Sequence, residues 1–258
     1  MAIDDGSGDL YNRDVLKVIR LILAFICFFP ACLFVLPVFV FRPFHRDNSW
    51  LFGQVVSGLT LRILGVKYHL DGGEIIYEEG PKILISNHQS TLDLFLLSHL
   101  CPKKTLVIGK KQLKWIPFFG WLFWLGGNFL IDRSNKQRAL KCMQNVKDTL
   151  VAENLSVYIL PEGTRSHGKG LGEFKKGAFH IGITSGVPIF PVILPHFHNQ
   201  IDYNRWKAAD LKIKVLPAIV TKGINIADID KLVQSTRDKF IHELEALDQL
   251  AGIKPVQA

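Results

Sequence analysis

Apolar positions fall into three regimes along this chain. The first is continuous: Leu21 to Phe41 is a run of 21 residues without a charge. As a helix it would be about 31 Å long at 1.5 Å per residue, close to the ~30 Å of a hydrocarbon core. It exceeds the roughly 7 to 15 apolar residues of a signal peptide, and no convincing cleavage site follows, so a membrane segment is expected. Pro30 and Pro37 predict a bend or break within it. In the second regime Leu51, Phe52, Val55, Val56, Leu59 and Ile63 keep helical spacing on one face, the pattern of a helix in the interface. Basic residues flank both ends of the long run (Arg13, Lys17 and Arg20 before, Arg42 and Arg46 after), so charge bias sets no orientation. The expectation is a two-helix anchor dipping into one leaflet with both ends cytosolic. A single crossing is the alternative.

The third regime begins near Val66, where short apolar runs rich in β-branched residues alternate with helical periodicity. Val66–Leu70, Ile83–Ile85, Thr105–Ile108, Phe129–Ile131, Val157–Leu160, Ile189–Leu194 and Leu211–Leu216 read as strands. Arg138 to Glu153 carries Leu140, Met143, Val146, Leu150 and Val151 at helical spacing, with Ser134 as the predicted N-cap. Ile229, Leu232, Val233, Thr236, Phe240, Leu244 and Leu247 repeat the signal. Alternation of this kind predicts one α/β domain whose mostly parallel or mixed sheet is flanked by helices. The expected organisation is a disordered N-terminus (1–13), anchoring helices (14–65), the α/β domain (66–252) and a disordered tail (253–258).

Length and composition agree: 258 residues suffice for one domain with a full core. The formal net charge of +8 favours anionic partners. No RNP-like or helix-turn-helix pattern accompanies it, and with an apolar anchor present, an anionic lipid surface accounts for the charge better than nucleic acid. Cys27, Cys32, Cys101 and Cys142 show neither a C-x-x-C pair nor zinc-ligand spacing and read as small buried hydrophobes.

Candidate chemistry lies just past the second predicted strand, in Asn87-His88-Gln89-Ser90-Thr91-Leu92-Asp93. An imidazole beside a carboxylate is the smallest unit that takes a proton from a hydroxyl near neutral pH. Five residues on an ideal helix lie about 140° apart. His88 and Asp93 therefore meet only if the first sits in the turn and the second in the first helical turn. Ser90-x-x-Asp93 is also a capping-box pattern, so Asp93 has a structural reading as well. His196-Phe197-His198 has H-x-H spacing without a third ligand, which argues against a metal site. Gly168, Gly170 and Gly172 do not complete a dinucleotide fingerprint.

Three further segments join that motif: Gly126-Gly127-Asn128-Phe129-Leu130-Ile131-Asp132-Arg133, Leu160-Pro161-Glu162-Gly163-Thr164-Arg165, and Val187-Pro188-Ile189-Phe190-Pro191-Val192. In this order and spacing, over residues 66–220, they resemble the glycerolipid acyltransferase family, from whose usual pattern Leu160 departs by replacing Phe. The resemblance implies that His88 acts as general base and Asp93 fixes its tautomer. The acceptor would be the 2-hydroxyl of lysophosphatidic acid, the donor an acyl-CoA or acyl carrier protein, the product phosphatidic acid, and no cofactor would be needed. It further implies that Arg165 clamps the acceptor phosphate, Lys110 adds a point charge, Arg133 assists, and the Glu162-Gly163-Thr164 turn forms the acceptor loop. Glu162 would organise that loop rather than carry protons, while Lys111, Lys175 and Lys176 would meet headgroups or carrier phosphates. The apolar stretch Trp115–Leu125 is a candidate wall for the acyl chain. The implied location is the bacterial inner membrane, with the site on its cytoplasmic face.

Overall fold

The computed structural model describes residues 14–197 and 201–251. The stretches expected to be disordered, 1–13 and 253–258, lie outside them, as does His198. The first element, α1 (Val15–Phe41), runs unbroken through Pro30 and Pro37. A proline removes one donor, but unravelling the helix in an apolar medium would leave many more backbone groups unpaired, so the helix continues. A second helical stretch follows as α2 (Asn48–Phe52), a π-helical turn (Gly53–Ser57) and α3 (Gly58–Leu64).

This second stretch packs inward. Val56 is fully buried against Cys32, Val35 and Phe39 of α1, and on another side Gln54 donates to the His99 carbonyl (2.9 Å) while the His99 ring nitrogen lies 3.0 Å from the Gly53 carbonyl. Gly53 permits the close approach, since a Cβ there would lie 1.8 Å from the Ser98 carbonyl oxygen. Among the described residues only α1 is long and apolar enough to cross a bilayer.

The rest is a seven-stranded sheet in the order β1-β7-β6-β2-β5-β3-β4. Its strands are β1 (Val66–Asp71), β2 (Ile83–Ser86), β3 (Thr105–Lys110), β4 (Phe129–Ile131), β5 (Ser156–Ile159), β6 (Ile189–Ile193) and β7 (Ala209–Val215). All seven coincide with the alternating runs of the sequence to within a residue or two at each end. Strands β2 to β6 are mutually parallel, whereas β7 is antiparallel to β6 and parallel to β1. The sheet is therefore mixed.

Helices cover both faces: α4 (Glu74–Tyr77), α5 (Leu92–His99), α6 (Phe119–Leu125), α7 (Lys136–Ala152), α8 (Gly177–Ser185) and α9 (Ile229–Leu250). The central strand β2 is buried on both sides, which is why it reads as apolar without alternation. Ile83 and Ile85 face a core with α7, α8 and α9, while Leu84 faces one with α5. The helix that follows β2 thus packs on one face and the helix that follows its neighbour β5 on the other. Between these two strands the connections diverge, and open α/β sheets hold ligands at the carboxyl ends flanking such a point.

The predicted N-cap of α7 is corrected. Asn135, not Ser134, accepts the amide of Arg138 (2.9 Å), because the Ser134 hydroxyl is already committed to Asp132 (2.6 Å).

Candidate active site

His88 lies in the turn after β2 and Asp93 is the second residue of α5, the one arrangement that lets them touch. His88 Nδ1 is 2.8 Å from Asp93 Oδ2. Both side chains are buried, with Asp93 at 0 % exposure. Asp93 also accepts the backbone N–H groups of Gln89 (2.5 Å) and Ser90 (2.8 Å), so the capping function and the histidine contact reside in one carboxylate. Ser90 accepts the Leu92 amide (3.0 Å) from one residue ahead of Thr91, the N-cap of α5, so the reciprocal hydroxyl bond of a capping box to the Asp93 amide is not made.

The turn is fixed from a second direction by the loop after β5. Glu162 Oε1 accepts the His88 amide (2.6 Å) and Oε2 accepts that of Gly172 (2.8 Å). Burial pushes the Glu162 carboxyl above its ordinary range, and these two amide donors oppose the rise. With both oxygens on backbone donors, Glu162 organises the loop. Ser166 N–H donates to the His88 carbonyl (2.9 Å) and His167 N–H to that of Gln89 (3.1 Å).

Four cations converge beside this turn. Lys110 ends β3, Arg133 follows β4, Arg165 follows the Glu162-Gly163-Thr164 turn, and Lys175 precedes α8. Desolvation, and then the charges of Arg133, Arg165 and Lys175, hold the Lys110 ammonium below its ordinary pKa. Burial also lowers Arg133. Gly163 sits at φ +73°, and a Cβ on it would lie 3.0 Å from Lys175 Nζ and 3.4 Å from an Arg133 guanidinium nitrogen. None of the four forms an ion pair among the described residues. Their neighbours Lys111 and Lys176 do, with Asp132 (3.1 Å) and Asp230 (2.6 Å).

Lys175 therefore clusters with Lys110, Arg133 and Arg165, whereas Lys111 and Lys176 each face a carboxylate, Lys111 sharing Asp132 with Arg138. The sequence grouped these three lysines because adjacency gives no sign of which carries a carboxylate partner. Thr164 is exposed on the turn. Like-charged groups held together without counter-ions are a site for a multiply charged anion.

Arg165 stands at one edge of an apolar cavity of about 270 Å³. Phe28 of α1, Phe52 of α2, Phe95 of α5 and Phe119 of α6 line it, with Leu160 and Thr91 near the dyad. Ile116, Leu122 and Phe123 of the Trp115–Leu125 stretch contribute as well. The arrangement combines a basic imidazole, a cationic cradle and an apolar slot. Among the described residues no cluster of His, Cys, Asp and Glu suits a metal ion.

An imidazole paired with a carboxylate, four clustered cations and an apolar cavity meet at the carboxyl edge of an α/β sheet, where such folds hold ligands. Comparison with known proteins identifies its class. A family model described as Acyltransferase matches residues 67–195. The 1-acyl-sn-glycerol-3-phosphate acyltransferase of Haemophilus influenzae is 33 % identical over 241 residues, covering 90 % of this chain and 97 % of that protein. That of Escherichia coli is 34 % identical over 235 residues, covering 91 % and 96 %. The human beta form is 33 % identical over 202 residues, covering 76 % and 72 %. The chain belongs to the acyltransferase family. The fold is also that of the crystal structure of the 1-acyl-sn-glycerophosphate (LPA) acyltransferase from Thermotoga maritima, with a TM-score of 0.68 and 22 % identity over 90 % of this chain and 98 % of that one.

Proposed function

We propose that this protein transfers a fatty acyl group from an acyl thioester, acyl-CoA or acyl carrier protein, to the sn-2 hydroxyl of lysophosphatidic acid, giving phosphatidic acid. The observation that carries the reading is the buried His88–Asp93 contact at 2.8 Å beside four cations without carboxylate partners. The names of the relatives agree with it.

With Nδ1–H donated to Asp93, His88 Nε2 is left as the basic atom. It takes the acceptor's hydroxyl proton as the oxygen attacks the thioester carbonyl carbon. The C–O bond forms, the C–S bond breaks, and the proton passes from Nε2 to the departing thiolate. A positioned base of this kind contributes about 10²- to 10⁴-fold. Asp93 stabilises the transient imidazolium. The acceptor phosphomonoester carries about −1.5 to −2 charges at neutral pH. Arg165 takes it as a fork, with Lys110, Arg133 and Lys175 as further positive charges. Gly163 gives the phosphate close access to the backbone, and Thr164 presents its hydroxyl on the same turn. The acyl chain occupies the aromatic-lined cavity. No cofactor takes part in this scheme.

The anchor reading follows from how α1 is held. Arg20, near its start, donates to the carbonyls of Tyr203, Arg205 and Trp206 in the segment before β7 (3.1, 2.5 and 2.6 Å). Near its end, Phe39 is buried with Leu122 of α6. Those 19 residues span about 28 Å, and both ends pack on the same body, so α1 lies along the carboxyl edge of the sheet rather than standing away from it. Its outward side chains, such as Phe34 (78 % exposed) and Phe41 (88 %), then enter one leaflet. We propose that this holds the active site at headgroup level, on the anionic cytoplasmic face of a bacterial inner membrane, a reading the net charge of +8 supports.

Purified protein supplied with each thioester and with lysophosphatidic acid or lysophosphatidylglycerol tests this. The expected product is phosphatidate, formed faster from the doubly charged acceptor. Free fatty acid released without acceptor, or equal use of the two acceptors, overturns the assignment.

A further inference from the structure

Beyond α5 and the loop after β5, a third segment holds the His88 turn through the residues on either side of the imidazole. Its two flanking residues are primary amides, both almost fully buried. Asn87 donates to the Leu194 carbonyl and accepts the Leu194 amide, each at 2.9 Å. Gln89 donates to the Pro195 carbonyl (2.5 Å) and accepts the Phe197 amide (3.2 Å). Each carboxamide thus uses a donor and an acceptor on one short extended segment, residues 194–197.

That segment is gripped from its other side by the C-terminal helix. His196 Nδ1 lies 2.6 Å from Asp248 Oδ2, and its backbone amide donates to Asp248 Oδ1 (3.3 Å). Asp248 is 1 % exposed in the last turn of α9. The His196 of the H-x-H pattern is thus engaged by a carboxylate. Gln89 holds residues 195 and 197, Asp248 holds residue 196, and the rail between them is fixed from both sides.

We infer that Gln89 is a positioning residue for His88, and that the His196–Asp248 pair anchors that support to the C-terminal helix. The inference rests on the general-base reading of His88. The physical argument is one of reach. Only a carboxamide offers both a donor and an acceptor at this spot, whereas a carboxylate would face the Pro195 carbonyl without a proton to give. A loosened rail lets the turn drift, and a misplacement of about 1 Å at a reacting group costs up to about 10²-fold.

The test is steady-state kinetics with palmitoyl thioester and lysophosphatidic acid for Gln89→Met, Gln89→Glu, Asp248→Asn and His88→Ala, with thermal unfolding of each. For Gln89→Met a fall in kcat of about 10- to 100-fold is expected, while KM for the acceptor stays within about twofold because binding groups are untouched. Gln89→Glu, which keeps the Phe197 contact, recovers part of the loss, and Asp248→Asn loses less than Gln89→Met. Unchanged kcat in Gln89→Met overturns the proposal. So does a loss in which KM rises and Tm falls together with kcat, with no recovery in Gln89→Glu, since that is the mark of a purely structural role. If Gln89→Met does not fold, Gln89→Glu and Asp248→Asn decide by the same kcat-against-KM criterion. His88→Ala separates the failures: full activity there defeats the base reading itself, whereas an inactive His88→Ala beside a normal Gln89→Met defeats only the positioning role.

Discussion

Each of the four cations at the site is supplied by the end of a different structural element, so no short stretch of sequence shows them as a group. Arg165 and Arg133 both carry a planar fork suited to a two-oxygen grip, and lysine at position 165 would keep the charge but lose the fork. Arg165→Lys is expected to raise KM for lysophosphatidic acid about tenfold, as the loss of one charge-assisted hydrogen bond would, with a smaller effect on kcat. Equal KM in initial-rate measurements would remove Arg165 from phosphate binding. Gly163 makes a sharper prediction. Alanine there must hold φ near +73° and brings a methyl to 3.0 Å from Lys175 Nζ. Gly163→Ala should therefore weaken acceptor binding and lower stability by about 1 kcal/mol, read from KM and chemical denaturation. A neutral outcome would show that the turn has room to spare. The His88–Asp93 contact was legible from residue types and spacing, whereas Arg165 was expected only from the family resemblance. Lys175 became distinguishable from Lys111 and Lys176 only once the carboxylates Asp132 and Asp230 were seen to hold those two.

Among the elements, the strands were the most legible because a buried strand declares itself by composition alone. Ile83 to Ile85 needs no partner to look like a strand. The short helices α4, α6 and α8 were harder. Phe119 to Leu125 is apolar all round, because Leu122 and Phe123 are buried while the exposed positions are the indoles Trp121 and Trp124, so it has no polar face to give a period. The cap of α7 was missed for a local reason: Asp132 captures the Ser134 hydroxyl and hands the capping role to the next residue. The loop after β5 is built round a buried carboxylate. Replacing Glu162 by Gln removes one of its two charge-assisted acceptors, and a loss of about 1.5 to 3 kcal/mol is expected. A drop in kcat should accompany it, since the two amides that share Glu162 are those of His88 itself and of Gly172 in the loop that packs on its turn. Denaturation midpoints and turnover measured together would expose an error if stability fell and kcat did not. The cavity makes its own prediction. Val107 lines it from β3, so Val107→Phe should shift the preferred acyl donor to a shorter chain, and an unaltered chain-length profile would remove the acyl chain from that slot.

At the scale of the whole molecule, one long apolar helix packs beside the edge of a mixed sheet that carries His88 and Asp93, and the proposed function uses that juxtaposition to join membrane contact to catalysis. The long apolar run of α1 was plain in the sequence. Its packing against the α/β body was not, because that depends on Arg20 reaching backbone carbonyls in a segment more than 180 residues away. Trp206 sits where the two meet, 88 % exposed, with its ring 5.9 Å from the Arg20 guanidinium carbon. Indole rings favour the headgroup level, so Trp206→Ala should weaken binding to anionic vesicles several-fold while leaving turnover in detergent micelles intact; sedimentation with vesicles that binds both proteins equally would contradict the in-plane placement. The central claim, that the imidazole at position 88 removes the acceptor's proton, is reached most directly by the single-turnover rate of acyl transfer from a labelled thioester by His88→Gln in the presence of saturating lysophosphatidic acid. A rate at least about 10²-fold below that of the unaltered protein, with acceptor binding retained, is the predicted result. A rate equal to that of the unaltered protein would contradict it.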